Sequence, residues 1–148
     1  EALSPQIKST NFLNTILAKR ESIAAGTFDS LFLNWKDELT ECTVSNLFFI
    51  SGKTLHTPAL DCGILDGITR TIVMTLAQEE GVPVREGHYH LADLQQAEEC
   101  FLTNTSMEIM PVNRVDSFTI GDGRPGSLTR RLQTRFADSR TRFLEPPS

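Results

Sequence analysis

Thr40-Glu41-Cys42-Thr43-Val44-Ser45-Asn46-Leu47-Phe48-Phe49-Ile50 runs directly into Ser51-Gly52-Lys53 and then Thr54-Leu55-His56-Thr57. Asn46 to Ile50 has the apolar and aromatic content of a strand, and Ser51-Gly52-Lys53 is a tight turn into Thr54-Leu55-His56-Thr57. Working backward, Leu39 begins another strand. Asn34-Trp35-Lys36-Asp37-Glu38 is a polar turn, and Phe28 to Leu33 is a short apolar run, so a hairpin is expected there. Trp35 falls in the turn and is expected to be partly exposed, not a pocket wall.

Further upstream, Ser9 to Ala25 is helical in pattern. Phe12, Leu13, Ile16, Leu17, Ile23 and Ala24 fall mostly on one stripe, and Gly26 is suited to the stop. Residues 1–8 form an extended lead-in, with Pro5 disfavouring helix at Ser4. Downstream, a loop carrying Pro58, Asp61 and Gly63 leads to Gly67 and a helix over Ile68 to Glu80. Its apolar stripe is Ile72, Val73, Leu76 and Ala77, and Gly81 ends it. Val82 to Tyr89 is expected as an edge strand because Pro83 interrupts it, and Leu91 to Glu98 as a short helix. Cys100-Phe101-Leu102 and Glu108 to Val115 are further strands. Gly121 to Gly126 is a turn-rich loop, followed by a last helix over Ser127 to Thr141 and a loose tail from Glu145. Strands and helices mix without strict alternation, so the class is mixed α and β, in one domain over residues 1–148.

Composition excludes several classes of function. The net charge is -5, which argues against a nucleic-acid partner. The one basic cluster, Arg130, Arg131, Arg135, Arg140 and Arg142, has Asp138 and Glu145 within it and has the look of a solvated helix face. No apolar run is long enough to span a bilayer and no signal-peptide pattern is present, so no membrane partner is expected. Cys42, Cys62 and Cys100 are widely spaced without a CxxC pair, as free thiols in a reducing cytoplasm would be. No histidine, cysteine or carboxylate spacing suggests a metal centre. His88 and His90 are expected side by side on an exposed edge strand, and Met107 and Met110 in the core.

Three segments draw attention together. They are Ile7-Lys8-Ser9-Thr10-Asn11, the Thr40 to Phe48 stretch, and Gly63-Ile64-Leu65-Asp66-Gly67-Ile68-Thr69-Arg70. Phe101 to Val112, Gly121-Asp122-Gly123, Gly126 and Leu128 to Gln133 extend the pattern. In this order the segments resemble the class IV pyridoxal-phosphate-dependent aminotransferases. That group comprises branched-chain aminotransferases, D-amino acid aminotransferases and 4-amino-4-deoxychorismate lyases, and the resemblance extends from about Pro5 to Phe136.

The resemblance implies the C-terminal pseudo-barrel domain of fold type IV enzymes, with pyridoxal 5'-phosphate as cofactor. Lys8 matches the lysine that bonds to the cofactor aldehyde and later moves the substrate α-proton, which requires a neutral amine. Glu41 matches the carboxylate that keeps the pyridine nitrogen protonated. Gly67, Ile68 and Thr69 match the helix start that receives the phosphate, and Thr105, with Ser106 beside it, matches a second phosphate threonine. Leu65 matches a residue packed on the ring face, and Ser45 and Asn46 lie near the ring edge. Cys42, next to Glu41, is expected near the cofactor without a nucleophilic role.

The implied reaction is transamination between an amino acid, branched-chain or D-, and a 2-oxo acid, in a cytoplasmic homodimer. An N-terminal domain, absent from this stretch, is implied as the source of a phosphate-binding arginine and of part of the substrate pocket. The chain alone is therefore expected to turn over poorly. Phe12 stands where branched-chain enzymes commonly have tyrosine, and Ser45 where they often have an acid. Glu108 to Val112 is closer to the transaminases than to the lyase, which would release pyruvate and 4-aminobenzoate. A non-catalytic interaction domain is the alternative of another class, and the presence of both Lys8 and Glu41 disfavours it.

Overall fold

The computed structural model describes residues 19–143 except Ser22 and Ala25. At its start, residues 19–21 and 23–24 are helical, and Gly26 leaves the helix with φ 72° and its N–H on the Ile23 carbonyl. Ile23, expected on the buried stripe, is 66% exposed. The rest of the Ser9–Ala25 helix and the lead-in lie outside the described residues, as does the tail from Leu144.

The hairpin expected around the polar turn consists of β1 (Leu31–Leu33) and β2 (Leu39–Cys42), paired antiparallel, with Trp35 at its tip and 87% exposed. β3 (Asn46–Ser51) turns at Gly52 into β4 (Thr54–Pro58). A 3-10 turn (Leu60–Cys62) and helix α1 (Ile68–Glu79) then cross over to β5 (Val84–Gly87), which runs parallel to β4. A parallel neighbour cannot be reached by a tight turn, and α1 supplies the crossover. α2 (Leu91–Gln95) leads to β6 (Glu99–Asn104), which pairs with β3 along Asn46 to Ile50 and with β7 (Glu108–Pro111). Because β6 occupies one edge of β3 from Asn46 onward, β2 and β4 share the other.

β3 is buried over Asn46 to Ile50, and its alternation sorts two cores. Phe48 and Ile50 face α1 and α3 (Ser127–Asp138), with Phe101, Ile72, Val73, Leu76, Leu132 and Phe136. Leu47 and Phe49 face the other way, with Cys42, Leu94, Cys100, Leu102 and Ile120. In the first core the rings of Phe48 and Phe101 stack across the β3–β6 pair, 5.1 Å between centroids and 14° from parallel.

The segment from Glu108 to Val115, expected as one strand, is two. β7 ends at Pro111, and β8 (Arg114–Val115) forms a separate ribbon with β9 (Phe118–Thr119). Met107 and Met110 are half-buried beside the buried Ile109 instead of filling the core. The final helix is likewise interrupted. α3 closes at Ser139, whose N–H bonds to the Arg135 carbonyl at 3.1 Å, and α4 (Arg140–Phe143) follows.

Arg131, Arg135, Arg140 and Arg142 are solvated as expected and are also ion-paired. Arg131, Arg135 and Arg142 pair with Glu79 and Glu80 at the end of α1, and Arg140 pairs with Glu108. Among the described residues no helix is long and apolar enough to cross a membrane.

Phe101→Ala is expected to remove about 3–5 kcal/mol of stability, because it deletes half of the stacked pair and leaves a cavity against three elements. A urea midpoint lowered to that extent at unchanged slope is the expected result. A loss below about 1 kcal/mol would show that the β3–β6 pair does not organise the core.

Candidate functional site

Glu41 and Asn46 meet Leu65 and Gly67 where β2 and β3 reach the start of α1. Glu41 and Asn46 are register partners on β2 and β3, and Asn46 is paired with Thr103 on its other side. Directly opposite residues share a face, so all three project toward the side of the sheet that carries α1.

Asn46 is the hub. Its Nδ2 donates to the Leu65 carbonyl at 2.9 Å and, at 3.4 Å, to Glu41 Oε2. The Leu65 N–H donates to the same Glu41 oxygen at 3.1 Å. The Asn46 Oδ1 lies so close to Gly67 that a Cβ there would stand 2.4 Å from it. Gly67 is required by this approach and not by its φ of -70°, which any residue can adopt.

Burial pushes the Glu41 carboxyl up to about 7, and the Leu65 N–H offsets only part of that rise. Among the described residues Glu41 has no cationic partner, and both of its hydrogen bonds fall on Oε2. A carboxylate held this way, half-buried and short of positive charge, fits a site that expects a cation.

Two helix starts can be compared. α3 opens on the Glu99 carboxylate, which accepts from the Leu128 N–H at 3.2 Å, the Thr129 N–H at 2.8 Å and the Thr129 hydroxyl at 2.6 Å. α1 opens at Gly67 with no side-chain cap and no acidic residue in its first turn. Ile68 is 70% exposed there, and Thr69 is buried. Its N-terminal N–H groups and dipole are available to an external anion. Arg70 does not compete for that role. It is buried and committed to Glu86 at 2.6 Å, the Pro58 carbonyl at 3.1 Å and Asp66 at 3.4 Å, which anchors the first turn of α1 to β4 and β5.

Ser45 is buried, and its Oγ accepts from Asn104 Nδ2 at 3.0 Å. Asn104 Oδ1 also accepts from the Met107 N–H at 2.7 Å, closing the β6–β7 turn that displays Thr105 and Ser106. Both of those residues are exposed. The fold thus joins Glu41, Asn46, Leu65 and Gly67 by direct contact and links Ser45 to the Thr105 turn through Asn104. Asn104 carried no signal in the sequence beyond its position at a strand end. Thr103 was also unmarked; it is buried and its hydroxyl has no hydrogen-bond partner among the described residues. Lys8 lies outside the described residues.

Two expectations are corrected here. Cys42 does not face the Glu41 side. Strand alternation turns it into the second core, where burial pushes its thiol up. His88 and His90 are not on the edge strand either, because β5 stops at Gly87. His90 caps α2, its N–H bonded to Asp93 at 2.8 Å, while His88 meets Glu38 and Cys62 in a three-residue cluster of metal-ligating types. Sequence spacing concealed that convergence, since its members come from three separate turns.

Comparison with known proteins bears on this arrangement. The sequence model of the family described as amino-transferase class IV matches residues 1–115. The chain is 37% identical over 136 residues to a D-alanine aminotransferase of Listeria monocytogenes, covering 92% of this chain and 47% of that protein. It is 34% identical over 128 residues to an aminodeoxychorismate lyase of Bacillus subtilis, covering 86% and 43%. The crystal structure of a Thermobaculum terrenum branched-chain amino acid aminotransferase in its PLP-form superimposes with a TM-score of 0.88 at 36% identity, covering 93% of this chain and 45% of that one. The chain spans about half the length of the curated relatives it matches. The fold is that of the fold type IV aminotransferases.

Glu41 gives the site a measurable signature. Its folded pKa lies above the ordinary value of 4.5, so between pH 4.5 and about 7 the folded chain holds a proton that the unfolded chain has released. Stability of the chain alone is expected to fall across that window, by on the order of 2 kcal/mol after allowance for partial solvent screening. Urea unfolding at pH 5 and pH 7.5 measures it, and Glu41→Gln should remove this component from the profile. Parallel pH profiles for the two proteins would sink the assignment.

Proposed function

We propose that this chain, which belongs to the amino-transferase class IV family, is the C-terminal cofactor-holding domain of a two-domain enzyme that moves an amino group between an amino acid and a 2-oxo acid. The observation that carries this reading is Glu41, a half-buried carboxylate without a cationic partner among the described residues, beside an uncapped helix start. Pyridoxal 5'-phosphate has the complementary parts: a protonated ring nitrogen at one end and a phosphate at the other.

The residues fit that cofactor part by part. Glu41 would accept the ring N–H, and the pairing would draw the carboxyl back into its ionised form. Asn46 and the Leu65 N–H hold Glu41 in place. Leu65 is half-exposed and able to cover the ring face. The N–H groups of Ile68 and Thr69, with the α1 dipole, would hold phosphate, and Thr105 and Ser106 add hydroxyls from the β6–β7 turn. Ser45 and Asn46 border the ring edge. Lys8 supplies the amine for covalent attachment and, once free, the base that moves the substrate α-proton. When bound, the cofactor serves as an electron sink for the bonds at the substrate α-carbon.

The substrate is an amino acid of the branched-chain or D- type, and the enzyme acts as a cytoplasmic homodimer with an N-terminal domain completing the pocket. Phosphate-binding arginine and much of the substrate contact belong to that domain, so the chain alone binds cofactor weakly and turns over poorly. A lyase that releases pyruvate from aminodeoxychorismate is the second reading. Ser45, buried and hydrogen-bonded where branched-chain enzymes often carry an acid, favours both this lyase and the D-amino acid reading over the branched-chain one. Pyruvate release from aminodeoxychorismate without a 2-oxo acid acceptor, assayed on the intact protein, separates the two.

Borohydride reduction of the chain with pyridoxal 5'-phosphate is expected to leave a covalent label at Lys8, located by peptide mass spectrometry. Lys8→Ala should abolish the label and the accompanying visible absorption band. Glu41→Gln should weaken binding at neutral pH about tenfold or more, the worth of one charge-assisted hydrogen bond. Labelling confined to Lys19, Lys36 or Lys53, or a band that survives in Lys8→Ala, would overturn the assignment.

A further inference from the structure

Three turns converge: the end of the β1–β2 hairpin turn, the 3-10 turn after β4, and the exit of β5. There Glu38 Oε2, Cys62 Sγ and His88 Nδ1 lie within 4.8 Å of one another. The separations are 3.0 Å between oxygen and nitrogen, 3.5 Å between sulfur and nitrogen, and 3.7 Å between sulfur and oxygen. A tetrahedral ion bonded at ~2.0–2.3 Å to such atoms would hold them about 3.3–3.7 Å apart. The three donors already stand close to that spacing.

What surrounds them is equally specific. His88 presents Nδ1 to the cluster and its other ring nitrogen, Nε2, to Asp61 Oδ1 at 3.1 Å. Metal-ligating histidines almost always place a carboxylate, carbonyl or water on the second nitrogen, which fixes tautomer and ring orientation. Asn34 Nδ2 donates to Glu38 Oε2 at 3.0 Å and to the Cys62 carbonyl at 3.3 Å, tying the hairpin turn to the 3-10 turn. Glu38 and Cys62 are buried, while the His88 side chain is 45% exposed, so the cluster has one open side.

We propose that Glu38, Cys62 and His88 form a binding site for a divalent transition ion of the zinc type, with Asp61 orienting the imidazole and water completing the coordination on the open side. A thiolate, an imidazole and a carboxylate select such an ion over Mg²⁺ or Ca²⁺, which prefer oxygen alone. Loading is ligand exchange without redox change. The Cys62 S–H bond breaks, a sulfur–metal bond forms and the proton leaves to solvent, along with the Nδ1 proton where His88 carries one. Carboxylate and imidazole bind through lone pairs. The ion would pin the Leu60–Cys62 turn, and Leu65, whose N–H holds Glu41, follows three residues later. It therefore acts on the loop of the candidate cofactor site without entering that site, and the inference does not depend on the function proposed above.

The test uses the whole chain, reduced and stripped with chelator, and titrated with Co²⁺ as a spectroscopic probe. One ion per chain at micromolar Co²⁺ is expected, with a thiolate-to-cobalt charge-transfer band in the near ultraviolet that Zn²⁺ displaces. Cys62→Ser should lose that band. Asp61→Asn should weaken binding about 10–100-fold, and His88→Gln at least as much. Circular dichroism checks that each variant folds. If Cys62→Ser does not fold, the half-exposed His88 and exposed Asp61 carry the test, and unchanged affinity in both variants overturns the proposal. Absence of uptake at micromolar Co²⁺, or a charge-transfer band that persists in folded Cys62→Ser, overturns it as well.

Discussion

The bond from Asn46 Nδ2 to the Leu65 carbonyl fixes where α1 begins relative to the sheet. Asn46 sits at the first position of the strand that pairs with β2, β4 and β6, so its side chain is placed by backbone that has little freedom to move. From that point it reaches the loop before α1, steadies the Glu41 carboxylate and presses its oxygen against Gly67. Arg70 completes the docking one turn later, through Glu86 and the Pro58 carbonyl. Two polar side chains thus set the position of a helix whose apolar stripe could otherwise slide along the sheet. Hydrophobic burial is non-directional, whereas hydrogen bonds to defined atoms are not.

The same strand separates chemistry from packing. Phe48 and Ile50 continue the face that begins with Asn46, so polar groups at one end pass into the stacked Phe48–Phe101 pair and the α1–α3 core. Glu41 therefore has core behind it and the loop of Leu65 over it. That position pushes the carboxyl up to about 7. Its neighbour Cys42, one residue along and turned to the other face, is simply core. A one-residue shift of β2 would exchange the two and place a charge in the second core, so register is strongly specified.

The hairpin, the β3–β4 turn, α1 and its four-residue stripe were legible because each is encoded by contiguous residues with a period of its own. Ile72, Val73, Leu76 and Ala77 are all buried, and Gly81 leaves the helix with φ 76°. The errors share a different cause. Cys42 was placed by its neighbour in sequence, when strand alternation separates adjacent residues. His88 and His90 were placed on a strand that stops at Gly87, because the bridge from Glu38 to His90 lies far off in sequence. The arginines of α3 and α4 gave no sign of their partners, which sit at the end of α1 and on β7. Of the candidate site, Glu41, Asn46, Leu65 and Gly67 meet by direct contact, while Asn104 ties Ser45 to the β6–β7 turn through contacts that sequence does not display.

The loop from Pro58 to Gly67 is held at three points. One end is held by Arg70 on the Pro58 carbonyl, and the middle by Asn34 on the Cys62 carbonyl. The other end is held by Asn46 on the Leu65 carbonyl. Side chains from α1, the β1–β2 turn and β3 each bind a backbone oxygen, so beyond its short 3-10 turn the loop takes its order from its neighbours. Such a segment is stable only as long as its anchors are. Its carbonyls are spent on those anchors, while the Leu65 N–H and the start of α1 remain directed toward Glu41 and the space beside it. That division of labour lets a loop with only a short 3-10 turn of its own serve as a rigid support for chemistry.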